Sequence, residues 1–133
     1  MKGMEARFKK VLLIDDNEID NFINERMISA SQFSAEVIVK NSTDDSIAYL
    51  QSLSDLTEFP QVIFLDLNMP GKDGFVFLNE FESLNDELKA NCKIIVLSSS
   101  ISPEDINKAS TNKFVYKYVN KPLSEKYLNA IDF

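Results

Sequence analysis

The hydrophobic and polar positions divide the chain into five successive blocks. Each block is a short apolar run followed by a segment in which apolar residues recur at helical spacing. The apolar runs are typical of strands and cover Lys10–Ile14, Ala35–Val39, Val62–Leu65, Lys93–Leu97 and Phe114–Val119. The helical segments begin near Glu18, Thr43, Gly74, Ser102 and Ser124. In the first, which extends to about Ser31, helical spacing relates Ile19, Phe22, Ile23, Arg26, Met27 and Ala30. The pattern predicts five successive βα units.

The composition of the apolar runs predicts their order in one parallel sheet. The first, third and fourth runs are unbroken, as strands buried on both faces are, so we expect them at the centre. The second run carries Glu36 and is followed by Lys40, and the fifth is interrupted by Lys117, so both are expected at edges. With right-handed connections, this predicts the order 2-1-3-4-5 in a doubly wound (βα)5 three-layer sandwich, the flavodoxin-like arrangement.

Several helix ends have sequence signals. Thr43 is a plausible N-cap of the second helix. Ser102, Pro103 and Asp105 form an N-cap, a first-turn proline and a capping-box acid for the fourth helix. That helix offers only Ile106 and Ala109 to a core, so we expect it to be loosely held. The third helix, by contrast, has a strong apolar face made of Phe77, Leu78, Phe81 and Leu84.

Acidic residues follow two of the predicted central strands. Asp15 and Asp16 come after the first strand, and Asp66 ends the third, before a loop punctuated by Pro70, Gly71 and Gly74. Taken alone, such acids are more often a solvated turn or a helix cap. In the predicted sheet order they share one edge, where three carboxylates repel one another unless a cation is present. Mg²⁺ prefers such oxygen ligands, and the backbone carbonyl of Asn68 is within reach as a further ligand.

Three other side chains lie at or near strand ends, and each also has an ordinary structural explanation. Lys121, which precedes Pro122, is either a surface side chain or a fixed cation for a phosphoryl oxygen. A cis bond before Pro122 would help aim Lys121 into the site. Ser98 is either part of a helix-capping loop or a hydroxyl that contacts phosphate. Tyr118 needs no function as a half-buried aromatic residue of an edge strand, yet it would lie beside the loop carrying Ser98.

Composition narrows the classes of function. The chain has 133 residues and a net charge of −7, which argues against nucleic acid or an anionic membrane as the main partner. It contains no histidine, which excludes Ser-His and Cys-His catalysis and histidine metal sites. A single cysteine, Cys92, cannot form an internal disulfide. No signal peptide or membrane span is recognisable, so we expect a soluble cytoplasmic protein.

Together these residues closely resemble the receiver domain of two-component response regulators. The likeness rests on Asp15-Asp16, on Asp66 within Leu65-Asp66-Leu67-Asn68-Met69-Pro70-Gly71-Lys72-Asp73-Gly74, on Ser98 and Tyr118, and on Lys121-Pro122. It implies that Asp66 accepts a phosphoryl group from a phosphohistidine of a sensor kinase or phosphotransfer protein. It also implies that Asp15, Asp16, Asp66 and the Asn68 carbonyl hold Mg²⁺. Ser98 and Lys121 would contact the phosphoryl group, Tyr118 would be a switch, and Asn68 and Ser100 would set the phosphorylated lifetime.

The resemblance covers nearly the whole chain, so we expect one receiver domain over residues 1–133, with an N-terminal extension at 1–8 and no output domain. Such a protein is not an enzyme, although it catalyses its own phosphoryl uptake and slow dephosphorylation. It would relay the phosphoryl group or signal through the face formed by the fourth helix, fifth strand and last helix. Two alternatives remain: an aspartyl phosphatase akin to haloacid dehalogenase-like enzymes, and a receiver-like scaffold that no longer accepts phosphate.

Overall fold

A computed structural model describes residues 6–99 and 102–131. The strands are β1 (Phe8–Ile14), β2 (Ser34–Lys40), β3 (Val62–Asp66), β4 (Lys93–Ser98) and β5 (Val115–Asn120). The helices are α1 (Glu18–Ala30), α2 (Thr43–Gln51), α3 (Gly74–Glu82), α4 (Asp86–Lys89), α5 (Pro103–Ser110) and α6 (Glu125–Ala130), with a 3₁₀ turn at Leu56–Glu58. The strands form one parallel sheet in the order β2-β1-β3-β4-β5, which confirms the predicted topology.

Each face of the sheet carries its own apolar core, because successive side chains of a strand point to opposite faces. On one face, Leu12, Ile63 and Ile94 pack with buried residues of α2 and α3. On the other, Leu13, Phe64 and Ile95 pack with Ile28 of α1 and Leu128 of α6. Helices on both faces make the predicted three-layer sandwich.

The structure corrects several predicted boundaries. The N-cap of α2 is Ser42, whose side chain accepts a hydrogen bond from the Asp45 backbone N–H, and not Thr43. Thr43 instead donates its hydroxyl to the carbonyls of Lys72 and Asp73, in the loop that follows β3. The short helix α4 was not predicted, so the helix that begins after Ser102 is α5. Its predicted N-cap is confirmed, and its only buried residue is Ala109.

The buried face of α1 is largely polar, with Ile28 as its one buried apolar residue. Ile19, Phe22 and Ile23 are 70%, 60% and 46% exposed, whereas Asn21 and Asn24 are buried. The periodicity correctly predicts a helix, but another set of residues faces the sheet. The contacts of Asn21 with the Asp15 carbonyl and of Asp20 with Lys121 explain this orientation.

Within residues 6–99 and 102–131, no helix combines the length and the apolar character that crossing a membrane requires.

Candidate functional site

The topology gathers the predicted site residues at one edge of the sheet. Asp15 follows the last residue of β1, Asp66 is the last residue of β3, and Ser98 is the last residue of β4. Lys121 follows the last residue of β5. Since all these strands are parallel, their carboxyl ends lie side by side, which is where open α/β sheets bind ligands.

Three carboxylates converge at this edge. One oxygen from each of Asp15, Asp16 and Asp66 lies within 4.8 Å of the others. Asp15 and Asp66 are only 2% and 4% exposed, and Asp16 is exposed to solvent. Hard oxygen ligands at this spacing, with an open side toward water, fit a partly hydrated divalent cation such as Mg²⁺.

Lys121 supplies the positive charge that the sequence predicts. Its ammonium lies 2.6 Å from Asp15 Oδ2 and 3.4 Å from Asp66 Oδ1. The Lys121–Pro122 peptide bond is cis, and the Lys121 backbone N–H donates to the Ser98 carbonyl at 3.0 Å. Burial lowers the pKa of Lys121, but hydrogen bonds to Asp15 and Asp20 and the charges of Asp66 and Asp15 outweigh it and leave that pKa raised.

The surroundings of Asp66 disfavour its ionised form. Burial, and then the charge of Asp15, raise its pKa to about 6. The charge of Lys121 and a hydrogen bond from the Asn68 backbone N–H act in the opposite direction without cancelling the shift. A cation beside Asp66 would offset both the cost of burying its charge and the repulsion from Asp15, which supports the fit of the three acids to a metal ion.

The loop after β3 holds its shape through two glycines. Gly71 has a φ of +74°, a conformation that favours glycine. A Cβ on Gly74 would lie 2.7 Å from the Asp66 carbonyl oxygen and 2.7 Å from Leu67 Cα, so no larger residue fits there without backbone movement. The Gly74 backbone N–H also donates to the Leu67 carbonyl at 3.0 Å. This loop therefore closes tightly behind the carboxylate.

Ser98 and Asn68 meet at the same edge. Ser98 is fully buried, and its Oγ accepts a hydrogen bond from Asn68 Nδ2 at 3.3 Å. Ser100, the other residue predicted to affect the phosphorylated lifetime, lies outside the described residues.

Tyr118 is half-buried on β5. It packs against a small apolar cluster made of Leu67, the residue after Asp66, Val96 of β4, and Ala109 of α5. Val96 is the residue with which Tyr118 pairs across the sheet. Tyr118 thus connects the vicinity of the site to α5.

The structure adds residues of α1 that we did not predict. Asn21 Nδ2 donates to the Asp15 carbonyl at 2.7 Å, and the Asn17 backbone N–H donates to Asp15 Oδ1 at 3.0 Å. The carboxylate of Asp20 lies 2.9 Å from the Lys121 ammonium. A sequence signal existed, because Asn17, Asn21 and Asn24 form a polar stripe at helical spacing.

The fold and site agree with a known family. Residues 11–131 match the family model of the response regulator receiver domain, and the chain belongs to that family. The response regulator Rcp1 of Synechocystis sp. (strain ATCC 27184 / PCC 6803 / Kazusa) is 30% identical over 122 residues, which are 90% of this chain and 81% of Rcp1.

Solved structures show the same likeness. A two-component response regulator from Cytophaga hutchinsonii superimposes with a TM-score of 0.85 at 33% identity, covering 95% of this chain and 93% of its own. The phosphorylated cyanobacterial phytochrome response regulator RcpA superimposes with a TM-score of 0.73 at 30% identity, covering 92% of this chain and 87% of its own. The Mn²⁺-bound form of Rcp1 superimposes with a TM-score of 0.72 at 27% identity, covering 91% of this chain and 87% of its own.

Proposed function

We propose that this receiver domain takes up a phosphoryl group on Asp66 from a phosphohistidine of a sensor histidine kinase or phosphotransfer protein. The observation that carries the proposal is the position of Asp66, a buried carboxylate between two other acids and the Lys121 ammonium. A buried carboxylate beside a fixed positive charge has both a nucleophilic oxygen and a means of offsetting charge on a bound phosphoryl group.

Asp15, Asp16 and Asp66, together with the backbone carbonyl of Asn68, would hold Mg²⁺. When bound, the ion would offset the negative charge of the phosphoryl oxygens. The raised pKa of Asp66 supports the site, because burial and then the charge of Asp15 disfavour its ionised form, and a bound cation would favour that form. The structure of Rcp1 with Mn²⁺ supports a divalent ion in a relative.

The chemical step is phosphoryl transfer. A carboxylate oxygen of Asp66 attacks phosphorus, forming an acyl phosphate, while the P–N bond of the donor breaks and its electron pair remains on the imidazole nitrogen. Lys121 donates hydrogen bonds to the phosphoryl oxygens, and the Ser98 hydroxyl contacts another of them. Water later attacks the acyl phosphate and releases inorganic phosphate, which restores the Asp66 carboxylate.

The output surface would be the face formed by α5, β5 and α6. Only Ala109 of α5 is buried, so we expect that helix to shift at low cost, and Tyr118 packs against the apolar cluster that contains Ala109. Contact between Ser98 and the phosphoryl group would draw the end of β4 toward that group and let Tyr118 turn inward. Amide exchange over residues 107–118 with and without beryllofluoride tests this; unchanged protection with the mimic bound contradicts it.

Intact-mass measurement tests the phosphoacceptor. With Mg²⁺ and acetyl phosphate, the protein should gain one phosphoryl group, and Asp66→Asn should gain none. Asp73→Asn is the matched control, because Asp73 lies in the same loop and serves as the N-cap of α3, a role that asparagine also fills. It should be phosphorylated normally.

The alternatives give different results in that experiment. A scaffold would show no added mass with any donor, and rapid turnover of many equivalents of a small phosphate ester would indicate a phosphatase.

A further inference from the structure

Asp20 lies in the first turn of α1 and completes the set of anions around Lys121. The Lys121 ammonium is 2.9 Å from Asp20 Oδ2 and 2.6 Å from Asp15 Oδ2. Asp66 Oδ1 is more distant, at 3.4 Å. An ammonium has three N–H donors, so these carboxylates can account for all of them.

The position of Asp20 is fixed by its own helix terminus. The Asn17 side chain accepts the Asp20 backbone N–H at 2.9 Å, and Asn21 anchors the same turn to the Asp15 carbonyl at 2.7 Å. The side chain of Asp20 is 36% exposed, compared with 2% for Asp15. Asp20 therefore holds Lys121 from the solvent side of the site, and Asp15 holds it from the buried side.

Lys121 and a divalent cation compete for the same oxygens. Asp15 Oδ1 already accepts the Asn17 backbone N–H at 3.0 Å, and Oδ2 accepts Lys121. A cation that uses Asp15 Oδ2 must share or displace the ammonium, and the two positive charges repel. Of the three carboxylates around the ammonium, Asp20 is the one that is not among the expected metal ligands, so it can retain Lys121 when a cation takes Asp15 Oδ2.

We propose that Asp20 is a positioning residue that retains the Lys121 ammonium on the solvent side of the site when a divalent cation takes the Asp15 and Asp66 carboxylates. The inference rests on the proposed function, because it assumes that these acids bind Mg²⁺. Asp20 is not a metal ligand here; it acts through Lys121, and it keeps the ammonium within reach of a phosphoryl group on Asp66.

Calorimetric titration with Mg²⁺ alone tests the proposal without any phosphodonor. Asp20→Asn should weaken Mg²⁺ binding by about twofold to fivefold, the upper part of the range expected when a partly exposed ion pair is lost. Glu18→Gln is the matched control: it removes the same charge from the same turn, and its side chain is exposed. It should weaken binding by less than about twofold, since only screened long-range attraction is lost.

A double-mutant cycle shows whether the effect passes through Lys121. In a Lys121→Met background, Asp20→Asn should change Mg²⁺ affinity no more than Glu18→Gln does. Equal effects of Asp20→Asn and Glu18→Gln in the wild-type background would overturn the proposal, as would an Asp20→Asn effect that persists without Lys121. Wild-type protein that binds no Mg²⁺ would overturn both the proposal and the metal site. If the wild-type protein is phosphorylated and Asp20→Asn binds Mg²⁺ with unchanged affinity, this inference is wrong while the proposed function stands.

Discussion

Helices α1 and α3 both start at the sheet edge that carries the acids, yet they turn opposite kinds of side chain toward the interior. Helix α3 buries Phe77, Leu78 and Phe81. Helix α1 buries Asn21 and Asn24, with Ile28 as its buried apolar residue, and leaves Ile19, Phe22 and Ile23 in water. Both segments have apolar residues at helical spacing, so periodicity alone does not explain the difference.

The difference follows from what each first turn contacts. The first turn of α3 is fixed by its Asp73 cap and by the Gly74 backbone hydrogen bond to Leu67, so its inward side chains are free to be apolar. The first turns of α1 contact the site through side chains: Asn21 binds the Asp15 carbonyl and Asp20 binds Lys121. These contacts fix the rotation of α1 and place its apolar stripe outside.

The largest expected contrast is between Phe81→Ala and Phe22→Ala. Phe81 is fully buried, with its ring centroid 5.2 Å from that of Phe114, so truncation should cost about 3–5 kcal/mol of unfolding free energy. Phe22 is 60% exposed, under the Arg26 guanidinium, and its truncation should cost less than about 1 kcal/mol. Urea denaturation measures both. Similar losses would mean that Phe22 is buried in solution.

Asp66→Asn should stabilise the metal-free protein in a pH-dependent way. The pKa of Asp66 is about 6 in the folded protein, and an unfolded aspartate titrates near about 4. Between these values the folded state retains a proton that the unfolded state has released, so wild-type stability falls as pH rises through this window.

The asparagine side chain of the variant has no such proton. The unfolding free energy of the variant should therefore rise above that of wild type by about 1–3 kcal/mol between about pH 4 and about pH 7, and the two should be equal at lower pH. Denaturation at several pH values with a chelator present measures the difference. A difference that does not change with pH would show that folding does not raise the pKa of Asp66.

Asn21→Ala should have a smaller effect, confined to α1. It removes the buried donor to the Asp15 carbonyl and should cost about 1–3 kcal/mol. Glu25→Ala, on an exposed position of the same helix, should change the unfolding free energy by less than about 0.5 kcal/mol. Equal stability of the two variants would show that the asparagine contact does not hold α1 on the sheet.

The sheet order was predictable because the residues of each strand show whether that strand is buried or lies at an edge. Unbroken apolar runs identify the central strands, and charges such as Lys117 mark an edge, so the order of the strands and the convergence of Asp15 and Asp66 followed from the sequence. The rotation of α1 was not predictable in this way, because it depends on Asp20 meeting Lys121, which is distant in the chain, and on Asn21 meeting the Asp15 backbone carbonyl. The choice of Ser42 over Thr43 as a helix cap likewise depends on a tertiary contact, that of the Thr43 hydroxyl with the loop after β3.

The most direct test of the central claim is to locate the phosphoryl group by chemistry. Borohydride reduces an aspartyl phosphate to homoserine, and peptide mass spectrometry then identifies the modified position. After treatment with Mg²⁺ and acetyl phosphate, homoserine should appear at position 66, and only when both reagents were present. Homoserine at position 15 or 16, or at none of the aspartates while the intact protein carries a phosphoryl group, would contradict the assignment of Asp66 as the phosphoacceptor.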